Sequence, residues 1–233
     1  MLRKTLSAIA AAAALGMATP AWADAITLDP SNTGSTFSID YNGFADGQMI
    51  DGLSGSALFT LSAATDNSYT FDYAISNTTD GGLSSRISSF AFNTDPQISS
   101  ASATGDYAFT VIDSHYPNAI GTVDVCFKGG KSKSCAGNSG GTATGGTGTG
   151  SLTLMFASAI DSITLSDFFL RYQSITGAGG VTSASGAGTL TGSTSGGSTS
   201  GTPVPEPGML GLFGAGLLGF GLMRRRRKAL VAA

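Results

Sequence analysis

The sequence predicts an all-β chain: an antiparallel, jelly-roll-like β-sandwich ectodomain followed by a single C-terminal transmembrane helix. Three observations predict it. Apolar and polar residues alternate with a period of two in segment after segment, as in Phe37-Ser38-Ile39-Asp40-Tyr41 and Tyr69-Thr70-Phe71-Asp72-Tyr73-Ala74-Ile75. That period puts one face of a strand in a core and the other in water. The segments are separated by clusters of Gly, Asn, Asp and Ser, and no comparable helical period runs through them. The third observation is the uncharged run Gly208–Met223, which ends on five basic residues.

Taken in order, residues 1–23 read as a secretory signal. Arg3 and Lys4 form a positive start, an Ala-rich apolar run follows, and Ala21 and Ala23 flank Trp22 in the small-x-small pattern that signal peptidase cuts. Cleavage there makes Asp24 the new N-terminus. Further pairs with the strand period are Phe59/Leu61, Tyr107/Phe109/Val111, Val123/Val125/Phe127 and Leu152/Leu154/Phe156. Ser85–Phe92 and Asp167–Ser174 are less regular strand candidates. Eight or nine such strands make one domain, expected over residues 24–177, with 13 Phe and six Tyr in the chain to fill its core.

Two stretches look unable to pack. Residues 136–150 contain no apolar side chain larger than Ala and are expected to form a surface loop. Residues 178–203 are uncharged and small, and are expected to be a flexible linker.

Charge narrows the partners. Residues 24–204 hold 14 Asp and no Glu against Arg86, Lys128, Lys131, Lys133 and Arg171, a net charge of nine negatives. Such a domain repels nucleic acid. The two cysteines, Cys126 and Cys135, are nine residues apart in an exported chain and are read as a disulfide, free thiols being the alternative. Zinc would need more ligands than this pair and the distant His115 supply. Lys128, Lys131 and Lys133 beside them are expected to form a solvated basic knob. His115 lacks the partners of a catalytic base, and no nucleophile motif accompanies it. The Asp-Gly and Asp-Asn turns at Asp46, Asp51, Asp66 and Asp80 could offer oxygens to Ca²⁺, but none has the spacing of a calcium loop. No catalytic residue, metal site or cofactor is assigned, with Ca²⁺ the one cofactor to test.

The C-terminus carries the most specific signal. Pro205-Glu206-Pro207 precedes the apolar run, and the two prolines force extended backbone at Val204 and Glu206. The 16 apolar residues span about 24 Å as a helix. Arg224, Arg225, Arg226, Arg227 and Lys228 anchor its far end in the cytoplasm, with residues 229–233 as a short tail. Motif, apolar run and basic cluster over residues 204–228 resemble the PEP-CTERM sorting signal of Gram-negative bacteria. That resemblance implies processing by exosortase, an integral-membrane cysteine transpeptidase, and delivery from a transient membrane anchor to the cell surface or outside. Phe44, Gly52-Leu53, Phe92–Pro96, Gly121–Phe127 and Asp167–Ile175 further resemble the cistern group of these proteins, which also carry a Cys pair, a Gly-rich insert and a Ser-Ala-Ser-Gly stretch like Ser183–Gly186. Two functions follow. One is a non-enzymatic structural protein of the envelope, extracellular matrix or biofilm, with extracellular polysaccharide as a possible partner. The alternative is a Ca²⁺-assisted carbohydrate-binding or adhesive module.

Overall fold

The computed structural model describes residues 24–137 and 139–194. The signal segment with Ala21 and Ala23, the Pro205–Pro207 motif, the apolar run and the basic residues 224–228 lie outside the described residues. Among the described residues no helix is long and apolar enough to cross a membrane.

Among the described residues fourteen strands follow one another: β1 Ile26–Leu28, β2 Thr36–Tyr41, β3 Phe44–Ala45, β4 Gln48–Met49, β5 Gly55–Thr65, β6 Ser68–Asn77 and β7 Ser84–Asp95. Then come β8 Ser100–Ala103, β9 Phe109–Tyr116, β10 Gly121–Lys128, β11 Thr142–Ala143, β12 Thr147–Met155, β13 Ile163–Thr176 and β14 Ser183–Thr194. Short 3-10 turns lie at Pro30–Asn32 and Gly105–Tyr107. Every strand pairing is antiparallel.

The expected two-sheet sandwich is instead one continuous sheet in the order β8-β12-β6-β5-β2-β14-β13-β7-β10-β9. It rolls over until β8 and β9 come close, but no ladder joins them, so it stops short of a closed barrel. The bend is made by β14. Its first half pairs with β13 from Ser183 to Ala187, and its second half pairs with β2 from Gly188 to Thr194. Rolling brings the alternating apolar residues of the two halves together. Phe37 on β2 meets Phe168 on β13 at 6.1 Å between ring centroids, and Phe59 on β5 meets Phe90 and Phe92 on β7 at 5.9 and 6.4 Å. These rings are fully buried, and their tilted and edge-on contacts suit the charge distribution of aromatic faces and edges.

Alternation located β2, β5, β6, β10 and the second half of β12, and the less regular candidates 85–92 and 167–174 fall on β7 and β13. Tyr107 is an exception. It lies in the 3-10 turn before β9, because its ring is drawn into the core against Tyr73 and Phe90.

Two segments depart from expectation for the same reason. The stretch 136–150 includes β11 and the first half of β12, and residues 178–203 include β14, so the folded domain runs to Thr194 rather than to residue 177. Both segments are poor in large side chains because neighbouring strands fill the space. A side chain at Gly150 would strike the Thr104 carbonyl oxygen and the Tyr73 hydroxyl, and one at Gly148 would strike the hydroxyl of Thr142 and the Tyr107 ring. On β14, Gly186 lies against the Tyr172 ring and the Asn42 carbonyl, and Gly188 against Ile39, Tyr41 and Phe168. Glycine lets the backbone approach these rings directly, and the ladders supply the bonds that a solvated linker would make to water.

Candidate functional site

Three features weighed in the sequence for chemistry fall in different parts of the sheet. His115 is exposed on β9 opposite Thr122 and shows no side-chain hydrogen bond. The Asp turns stay dispersed, and among the described residues no group of three or more His, Cys, Asp or Glu gathers to hold a metal ion. The Asp51-Gly52 and Asp80-Gly81 turns do meet, where the Asp80 N–H donates to the Gly52 carbonyl at 2.8 Å.

The Cys pair builds the most elaborate surface feature. Cys126 of β10 is bonded to Cys135, with Cα atoms 6.1 Å apart, and both residues are fully buried. Cys126 and Cys135 pack with Ala91, Tyr116 and Val123 in a small second core. The bond draws the chain after β10 back over β7. Ser89 donates its hydroxyl hydrogen to the Cys135 carbonyl at 3.1 Å, the Gln173 amide donates to Ala136 O at 2.9 Å, and Arg86 Nη1 donates to Gly140 O at 2.6 Å. The two arms of this loop pass so closely that a side chain at Gly129 would collide with Gly141, and one at Gly141 with the Ile87 carbonyl.

The expected basic knob is therefore divided. Lys128 is 3% exposed, and its ammonium donates to the Ser132 and Ser134 carbonyls, clamping the loop from within. Burial lowers its pKa below the ordinary lysine range. Lys131 and Lys133 remain exposed at the loop's tip. Arg171 is also buried, with burial lowering its pKa. With the Asn118 amide turned so that its oxygen faces inward, Arg171 Nη1 donates to it at 3.2 Å.

Lys131 and Lys133 face the seam where the sheet fails to close. Between β8 and β9 lies an open groove of about 590 Å³. Its apolar lining comes from Ala101, Ala103, Ala108 and Phe109. This groove was not legible in the sequence, since nothing local to residues 101–110 indicates that the tip of another loop lies beside them.

The segments Phe92–Pro96, Gly121–Phe127 and Asp167–Ile175 fall largely on β7, β10 and β13, which are adjacent in the sheet. The last strand among the described residues, β14, is described as far as Thr194, and ten residues, 195–204, lie between that point and Pro205 in the sequence.

Residues 203–227 match the family model of the PEP-CTERM protein-sorting motif, which takes in Pro205, Glu206, Pro207 and the four arginines. No curated protein matches the chain. The match coincides with the tail whose motif, apolar run and basic cluster stand in that order, and it leaves the folded β-domain outside its bounds. The chain thus ends in a PEP-CTERM protein-sorting motif, a tail that implies export and targeting to exosortase.

Proposed function

We propose that the protein is a non-enzymatic structural component of the cell surface or extracellular matrix, contributing to biofilm architecture. In this reading signal peptidase releases Asp24, the tail holds the chain in the membrane, and exosortase acts at Pro205-Glu206-Pro207. The tail motif is the observation that carries the reading. The likeness of the β7, β10 and β13 segments to the cistern group supports it from the folded domain.

The domain's own build is compatible with life outside the cytoplasm. Its disulfide suits an oxidising compartment. The Asp24 carboxylate accepts the Leu190 N–H at 2.7 Å, so the residue freed by signal cleavage is tied into β14 beside the last folded segment. Ten residues can reach at most about 35 Å, so exosortase would work close beneath a folded domain.

The test is the intact mass and location of the native protein in host cells with and without exosortase. The expected result is a surface or released form that begins at Asp24 and ends near Pro205–Pro207 only when the enzyme is present. Persistence of the Arg-rich tail in both strains would overturn the sorting step. Glu206→Ala with Pro205→Ala in the wild-type host should likewise block maturation.

A further inference from the structure

We propose that the open seam between β8 and β9 is a binding groove for an extended, carboxylate-bearing polysaccharide. The inference stands apart from sorting, since the groove belongs to the folded domain and the sorting motif to the tail.

Charge is the first argument. The described domain carries 14 Asp against five basic residues. Of those five, Lys128 and Arg171 are buried, and Arg86 is bonded to Gly140 O. The two exposed cations left, Lys131 and Lys133, both line the groove, and no acidic residue lines it. A domain of this sign repels polyanions over most of its surface, and this strip pairs the two exposed lysines with no carboxylate, so charge complementarity favours an anionic occupant here.

Rigidity is the second. The Cys126–Cys135 bond, the buried Lys128 ammonium and the loop contacts to β7 hold the backbone that presents the two lysines. Less freedom is then lost when a ligand engages them.

The lining is the third argument. Phe109 is half-buried, with Lys131 Nζ 5.8 Å from its ring centroid, so a cation and an aromatic face stand together. The hydroxyls of Ser102 and Ser132 stand around them, while the Thr110 hydroxyl beneath is buried without a hydrogen-bond partner. Apolar ring, hydroxyls and cations match the apolar faces, hydroxyls and carboxylates of an acidic sugar chain. A peptide adding as a strand fits less well, because β8 has only four residues, and short edges flanked by lysines oppose strand addition.

The measurement is binding of fluorescent polygalacturonate to the full chain in non-ionic detergent, with residues 224–228 changed to Gln throughout so that the tail does not attract polyanions. Dextran and poly-glutamate are the comparison polymers. Polygalacturonate should bind while dextran does not. Lys131→Ala with Lys133→Ala should weaken binding at least tenfold with an unchanged Tm. Phe109→Ala should weaken it several-fold at both low and high salt. Absence of polygalacturonate binding, or binding indifferent to the lysine pair, overturns the proposal. So does poly-glutamate binding equally well with no effect of Phe109→Ala, which would leave an acidic peptide or simple ion exchange.

Discussion

The buried tyrosines divide into those whose hydroxyls are bonded and those whose hydroxyls are not. The Tyr107 hydroxyl lies 3.0 Å from the Ile87 carbonyl, to which it donates, and 2.8 Å from the hydroxyl oxygen of Thr142. Its own N–H donates to the Tyr73 hydroxyl at 3.0 Å, which in turn donates to Thr104 O at 2.7 Å. This network pins the turn before β9 to β6, β7 and β11. The Tyr172 hydroxyl is buried with no hydrogen-bond partner. Removing a bonded hydroxyl leaves its partners unsatisfied, whereas removing an orphan relieves a desolvated group. Tyr107→Phe is therefore expected to cost about 1–3 kcal/mol in a urea melt. Tyr172→Phe should leave stability unchanged or raise it. The reverse order would show that these hydroxyls are satisfied differently from the geometry described above.

At the scale of the element, β14 is the segment whose role differs most from its composition. It has the small, uncharged residues of a linker, yet it joins the two halves of the sheet, with one end on β13 and the other on β2. Deleting residues 183–194 from the full chain would unpair the edges of both strands and uncover Tyr172, Phe168 and Ile39. Loss of the cooperative thermal transition and rapid limited proteolysis are the expected results. A chain that melts as before would return β14 to the status of a tether. The disulfide loop is the complementary case, for its Cys spacing announced the bond while its course over β7 depended on glycines that no local pattern singles out.

For the molecule as a whole, burial of tyrosine sets the response to alkali. Burial is the largest cause holding the phenols of Tyr41, Tyr107, Tyr116 and Tyr172 well above the usual range. In the unfolded chain they ionise near pH 10, as tyrosine ordinarily does. Their stabilising effect is thus complete below about pH 10 and is lost as pH rises beyond it, because the unfolded state then releases protons that the fold retains. The loss is about 1.4 kcal/mol per pH unit for each such tyrosine. Guanidinium melts from pH 7 to 12 should therefore show stability falling steeply above pH 10, and a flat profile there would contradict the buried state of these phenols.

Certain features were determined by sequence alone because their signals are local. The period of two marked β2, β5, β6, β10 and the second half of β12, since the large side chains there announce their own burial, and the less regular candidates 85–92 and 167–174 fall on β7 and β13. The sorting tail is a linear signal of motif, apolar run and basic cluster, so it too was readable before any fold was known. Tertiary structure alone decided that β14 and the Gly-rich first half of β12 are strand, because the bulk packed against their glycines comes from tyrosines and phenylalanines elsewhere in the chain. It also decided which of five cations face solvent, and that the sheet rolls into one nearly closed surface with a groove at its seam. These outcomes depend on contacts between residues far apart in sequence, which no window of local pattern contains.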